Sequence, residues 1–196
     1  EPKAGEKRLF QWDYEDPEWS FRELAIPRGI AQLSLSGRGQ IVAFVDKENT
    51  VNVIDLRGEV RPARKWKAPS PVSHLVVETR ASQTFVGCHN GDVWIVSPDP
   101  GIEPRLLFNT GSRIERLLTG SAQRWIIVGC NDGSVWRWRP PLDGEKPQLA
   151  FRLPSAITAL TQANNGGRIG AGDIQGHASL LAMSDTTKPE SRRLHT

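Results

Sequence analysis

Cys88, His89 and Cys130 are the residue types that hold zinc or cycle between thiol and disulfide. A zinc site needs ligands brought together locally in pairs, as CxxC or HxxxH spacing does, and these three residues have no such spacing. Ser73 and His74 are a nucleophile and a base side by side. In a strand, adjacent side chains point to opposite faces, so the two cannot form a working pair. Gly166-Gly167-Arg168-Ile169-Gly170 resembles a phosphate-binding glycine run. Such a run works at the start of a helix, and no helical period follows this one. The sequence contains no G-x-S-x-G nucleophile turn, no phosphate loop and no paired carboxylates. The expectation is a protein that is not an enzyme, with no catalytic residue, metal or cofactor.

Binding chemistry is a better prospect. Segment 57–67 carries Arg57, Arg61, Arg64, Lys65 and Lys67 against Glu59, with Trp66 among them. A basic patch with an aromatic could grip phosphate backbone and stack a base. About 42 residues earlier, at the same place in the preceding repeat, stand Asp13, Glu15, Asp16, Glu18 and Glu23 against Arg22. Opposite charge runs at equivalent places favour a solvated face first, a protein-docking rim second and nucleic acid last. The overall balance agrees, since 25 Lys+Arg against 22 Asp+Glu leaves a net charge of only +3 despite a pI near 9.1.

The elements that must carry these residues show themselves as a repeat with a period of about 42 residues. Val93-Trp94-Ile95-Val96-Ser97 follows Asn90-Gly91-Asp92, and one period later Val135-Trp136-Arg137-Trp138-Arg139 follows Asp132-Gly133-Ser134. Earlier copies are Val51-Asn52-Val53-Ile54-Asp55 and Leu9-Phe10-Gln11-Trp12-Asp13, and a later one is Ala178-Ser179-Leu180-Leu181. Ile30, Val72, Ile114 and Ile157 open a second set of apolar runs at the same period. A third set begins at Ile41, Thr84, Trp125 and Arg168. A fourth, weaker set covers 21–26, 64–67, 105–108 and 149–153. Short β-rich runs bounded by Gly, Asn, Asp and Ser are the signal of strands and turns. No segment shows a sustained helical period with caps. Seven tryptophans, one methionine, 38% apolar residues and 18 glycines suit a sheet-built core rather than a disordered chain.

Four strands in each such period is the unit of a β-propeller blade. The chain resembles the WD40 repeat family: Trp12-Asp13 has the family's dipeptide, Ile54-Asp55 keeps its aspartate and Trp138-Arg139 its tryptophan. Asn90-Gly91 and Asp132-Gly133 match the tight turn between second and third strands, where positive φ is required. The likeness is WD40-like and degenerate, because no Gly-His pair precedes the first strand of any repeat. It implies blades with strands a to d from the channel outward, and b–c and d–a loops gathered on one recognition face. That face would carry Asp46, Lys47, His89, Asn90, Asn131 and Asp132, with Arg28 and Arg113 from the d–a loops. The Asn and Asp residues are explained as turn formers. Arg28, Lys47, His89 and Arg113 are not, which makes them binding candidates beside Arg61, Arg64, Lys65 and Lys67. His74, Glu115 and Arg116 would be the polar groups on the channel strands.

The expected fold is an all-β propeller, a single domain over 1–196 with units near 1–28 (partial), 29–70, 71–112, 113–155 and 156–196. About 4.7 repeats are present. A partial or composite ring is favoured, because the third-strand copy at residues 9–13 is redundant in a closed four-blade ring. In the closed alternative, 21–26 would supply strand d to the last sheet, with 191–196 left ambiguous. An open arc closed by self-association is the third reading. A start at Glu1 suggests a processed or excised chain, and no apolar run approaches the roughly 20 residues of a membrane helix. Cys88 and Cys130 are one period apart and so occupy the same place in adjacent blades. Sheets stacked roughly 10 Å apart put them out of disulfide reach. Unpaired thiols favour a reducing compartment such as the cytoplasm, although an extracytoplasmic domain stays compatible. The expected function is a protein-binding scaffold. The alternatives are an accessory propeller of a larger protein or membrane complex, and nucleic-acid binding through 57–67.

Overall fold

The computed structural model describes residues 9–12, 21–24, 29–37, 39–57, 63–78, 83–120, 125–139, 146–163, 167–182 and 191–194. Their regular elements are all strands, in four antiparallel sheets of four strands and one of two. The first blade is β3 (Ile30–Leu35), β4 (Ile41–Asp46), β5 (Thr50–Asp55) and β6 (Arg64–Lys67). The second is β7 (Val72–Val77), β8 (Thr84–Cys88), β9 (Asp92–Val96) and β10 (Arg105–Asn109). The third is β11 (Ile114–Thr119), β12 (Ile126–Cys130), β13 (Ser134–Trp138) and β14 (Gln148–Arg152). The fourth is β15 (Ile157–Gln162), β16 (Arg168–Asp173), β17 (Ala178–Ala182) and β18 (Ser191–Leu194). Each blade pairs in sequence order, first strand to fourth. The architecture is a β-propeller, and its ring is not closed.

The ends decide between the readings left open. Residues 21–24 do not supply the outer strand of the last sheet, as the closed alternative required. Instead β2 (Phe21–Leu24) pairs with β1 (Leu9–Trp12), placing Trp12 opposite Phe21. The outer strand of the fourth blade is β18, with Ala178 opposite Leu194. The pairing that would have closed four blades is therefore absent, and residues 191–194, ambiguous in sequence, complete a sheet.

The blades stack through three apolar interfaces. Between the first and second lie Val45, Val53, Leu75, Val86 and Cys88, with Trp66 and Trp94 against them. Phe85, Ile114, Leu117, Val128 and Cys130 join the second to the third. Ile127, Val135, Ile157, Ile169 and Leu181 join the third to the fourth. The middle strands β8 and β12 are buried along their whole length, as strands covered on both faces must be.

One device recurs in every blade. The first strand shifts register just after its opening residue, between Ile30 and Gln32, Val72 and His74, Ile114 and Arg116, and Ile157 and Ala159. A bulge adds one residue, so side chains three apart come to share a face. This is why Ile114 and Leu117, and Ile157 and Leu160, press together on the preceding blade. The preceding strand makes room with glycine. A Cβ on Gly87 would lie 2.6 Å from Ile114 Cγ2 and 3.1 Å from Leu117 Cδ1. On Gly129 it would meet Ile157 Cγ2 at 2.6 Å and Leu160 Cδ1 at 3.1 Å.

Candidate functional site

The turns between second and third strands turn on a single backbone position. Asn49, Gly91, Gly133 and Gly176 all have positive φ (64°, 87°, 79° and 87°), the conformation that Asn and Gly tolerate and the sequence pattern anticipated. Side chains brace these turns. Asp46 accepts from the amides of Glu48 and Thr50, Asp132 from that of Ser134, and Asp173 from those of Gln175 and His177.

Each of the three described d–a loops, 68–71, 110–113 and 153–156, is then pinned to the neighbouring b–c turns. The Asn49 side chain donates to the carbonyls of Ala68 and Ser70 and accepts from the Val72 amide at 2.7 Å. The His89 amide donates to Pro71 O, the Thr110 amide to Gly91 O, and the Asn131 amide to Arg113 O. Leu153 N donates to Gly133 O, and Ile174 N to Ala156 O. The b–c turns and d–a loops thus form one stitched end of the arc, as the resemblance implied.

Lys47, His89 and Arg113 sit exposed at that end, on the first blade, the second blade and the loop entering the third. The aliphatic stem of Lys47 lies over Gly29, whose φ is +86°. Arg113 is ion-paired with Glu115, its Nε donating to Oε1 at 2.8 Å. Arg28 and Arg61 lie outside the described residues. Asp92 receives Asn90 and Asn109, Asp132 pairs with Arg152 at 2.8 Å, and Asp173 pairs with His177 at 3.0 Å. For Asp132, burial works to raise the pKa and is outweighed by hydrogen bonds from Ser134 and by Arg152, so the carboxyl sits below its usual range. Burial of Asp173 is likewise outweighed, by the backbone amide and ring of His177, so its carboxyl also sits below the usual range. The Asp173–His177 pair was missed in sequence. Its signal was the spacing, since Thr50, Asp92, Ser134 and His177 hold the same repeat position.

The described cations of the basic segment are directed to different places. Lys67 donates to the Glu48 carbonyl at the stitched end, whereas Arg64, its side chain only 8% exposed, donates to the Asp99 carbonyl on the next blade. Lys65 projects into solvent between them. Trp66 is turned inward, its ring centroid 5.2 Å from that of Trp94. The aromatic that could have stacked a base is part of a blade interface.

The channel-side polar groups link blades to one another. Gln32 donates to Ser73 O, and the Val77 amide donates to Ser34 Oγ at 3.0 Å. His74 Nδ1 accepts from the Leu117 amide at 3.3 Å, which leaves the ring's proton on Nε2. Burial, and then the nearby Arg116, hold His74 below the usual histidine pKa. Arg116 donates to the Glu115 carbonyl. Cys88 and Cys130 are buried thiols. Burial, with Asp92 beside it, pushes Cys88 up to about 12, and burial raises Cys130 as well. Neither is a nucleophile near neutral pH. Among the described residues, no three His, Cys, Asp or Glu gather as metal ligands would, and no helix is long and apolar enough to cross a membrane.

By sequence, the chain matches no family model and no curated protein. By structure, it is similar to the β-propeller domain of Cps50 (Swd1) from Myceliophteria thermophila, with a TM-score of 0.69 and 13% identity. The match covers 94% of this chain and 64% of that one, so the chain spans less than two thirds of the propeller it matches. Solved chains that match number 1299, a breadth that establishes the fold and selects no single activity.

Proposed function

We propose that the chain is a WD40-like, non-enzymatic scaffold that docks a protein partner on the stitched loop end. The observation that carries this reading is the pinning of the three described d–a loops to b–c turns by the bonds of Asn49, Gly91, Asn131, Gly133 and Ile174. Loops so held present Lys47, His89 and Arg113 in fixed positions, and binding then costs little ordering entropy. Propellers in general mediate protein interactions, in keeping with this assignment. Nucleic acid is the weaker reading, because Trp66 is packed inward and Arg64 and Lys67 are engaged by carbonyls.

The test is affinity capture from the native proteome with wild type and a K47E/H89A/R113E variant, the captured protein being identified by mass spectrometry. A partner held by wild type and lost from the variant, at unchanged melting temperature, is the expected result. Equal capture by both, or turnover of a substrate abolished by one loop substitution, would sink the proposal.

A second reading has its own observation. An arc of four blades that leaves its ring unclosed, and matches 64% of a propeller, fits an accessory domain within a larger protein or membrane complex. Transcript or genomic sequence that continues the repeat in the same reading frame is the expected finding, and a stop immediately after Thr196 would count against it.

A further inference from the structure

Trp125 stands just before β12, Arg137 lies near the end of β13 and Arg139 just past it, all at the end of the third blade opposite the stitched turns. Arg137 lies opposite Ile127, and alternation puts Val135, Arg137 and Arg139 on one face. Trp125, Ile127 and Val135 belong to the interface with the fourth blade, so that face looks toward it. The Cζ atoms of Arg137 and Arg139 lie 5.3 and 5.9 Å from the centroid of the Trp125 ring. One indole thus serves two guanidiniums, each within reach of cation–π attraction.

The two cations differ in setting. Arg139 is exposed, whereas Arg137 is only 8% exposed. A buried guanidinium ordinarily faces a carboxylate, because an uncompensated buried charge is costly. Arg137 faces an amide instead: its Nε and Nη2 donate to Oε1 of Gln148, opposite it on β14, at 3.2 and 3.0 Å. A guanidinium has five N–H donors, and these bonds use two of them. Other arginines of the chain meet acids, Arg57 with Asp55, Arg113 with Glu115 and Arg152 with Asp132. Among the described residues, no carboxylate pairs with Arg137 or Arg139. Lys146, exposed two residues ahead of Gln148, brings a third cation to the same end of the blade.

We propose that Arg137, Arg139 and Lys146, arranged about Trp125, form a binding site for a phosphate dianion, free or as a monoester. Two like charges over one ring repel each other, and an anion in contact with both removes that repulsion. A carboxylate answers one guanidinium, whereas a phosphate carries up to two charges and three strong acceptor oxygens. Those oxygens match the paired donors of a guanidinium, the geometry that makes arginine a phosphate ligand. Contact with Trp125 and the bonds to Gln148 hold the donors before the ligand arrives, so binding costs little ordering. The site lies at the opposite end from the stitched loops and does not rest on what docks there.

The probes are sodium phosphate and methyl phosphate, titrated calorimetrically into the full chain at pH 8, where both are dianions, with ionic strength held constant by sodium chloride. The comparison protein is Arg139→Gln, whose side chain is already exposed and whose fold is checked by thermal melt. Saturable binding that weakens about tenfold or more in this variant, a loss of at least about 1.4 kcal/mol, is the expected result. It should persist in the K47E/H89A/R113E protein, which separates this site from the loop end. Sodium acetate, a monoanion, should bind at least about tenfold more weakly than phosphate. Binding of inorganic phosphate alone supports a site for the free ion, and binding of both probes a site open to a monoester. Absence of saturable binding of either, equal binding by wild type and Arg139→Gln, or acetate binding as tight as phosphate overturns the proposal.

Discussion

The interface between the third and fourth blades and the outward face of the fourth blade are built from the same repeat position, yet among the described residues only the first is filled. At Gly129 the side chains of Ile157 and Leu160 sit where a Cβ would have to go. At Gly172, the equivalent in the last blade, the nearest side-chain atom is 3.7 Å away and belongs to Ala159 of its own blade. At the other end, Leu117 is 1% exposed inside the arc, while its equivalent Leu33 is 49% exposed on the first blade. The end of the second strand differs too: Cys88 and Cys130 in the middle blades become Asp46 and Asp173 in the outer ones. Apolar residues fill this position inside the stack, and a carboxylate bracing the turn replaces them towards its ends. In a quasi-one-dimensional stack each repeat owes its stability to its neighbours, so these differences have energetic consequences.

The largest expected contrast is between truncations of the two leucines. Leu117→Ala should cost about 2–5 kcal/mol in urea denaturation, as deletion of a buried leucine does. Leu33→Ala should stay within about 0.5 kcal/mol, the range of exposed substitutions. Equal costs would mean that Leu33 is covered in solution. The next contrast is between glycines. Gly129→Ala should destabilise by about 1–3 kcal/mol through overpacking against Ile157. Gly172→Ala should be neutral to within about 0.5 kcal/mol. A large loss at Gly172 would show its face to be filled, which breaks the comparison.

A smaller effect concerns pH. His74 has a folded pKa below its unfolded value, because it is buried beside Arg116 and accepts the Leu117 amide. Its contribution is complete above the unfolded pKa of about 6.5. As pH falls below that value, the unfolded chain takes up a proton that the folded chain refuses, and stability declines. One group can contribute at most about 1.4 kcal/mol per pH unit. His74→Gln should therefore show a shallower fall in melting temperature between pH 7 and pH 5 than wild type. Parallel curves would remove His74 from the account. The smallest effect is chemical: both thiols should resist an aromatic disulfide reagent in the folded chain at pH 8 and react together on unfolding. Fast labelling of either in the native protein would show that its interface opens.

The repeat was legible because constant spacing, β-branched runs and Asn-Gly or Asp-Gly turns are local signals, and each blade obeys them. The gathering of the loops at one end was implied by the WD40 resemblance, while the turn-forming roles of Asn90 and Asp132 could be read from their residue types. The outer strand of the last blade was not legible. Residues 191–194 carry no alternation strong enough to identify a strand, and only pairing with β17 makes them one. The side-chain directions in segment 57–67 were not legible for a related reason. Composition shows five cations and a tryptophan, but the direction of each side chain depends on the next blade, where Trp94 and Asp99 receive Trp66 and Arg64. The register shift that puts Ile114 and Leu117 on one face was hidden too, because a bulge leaves no mark on residue type.

The facing residues at the channel-side contacts also act as a gauge of curvature. Gly87 meets Ile114 and Gly129 meets Ile157, whereas at the first interface Val45 and Val72 share one apolar cluster. How near two sheets come beside the channel, relative to their separation at the rim, sets the wedge between them. The number of wedges that complete a circle follows from that angle. Side-chain volume at one residue per blade thus helps to set how many blades the finished ring holds, and enlarging Gly87 and Gly129 together with trimming Ile114 and Ile157 is a route to changing that number.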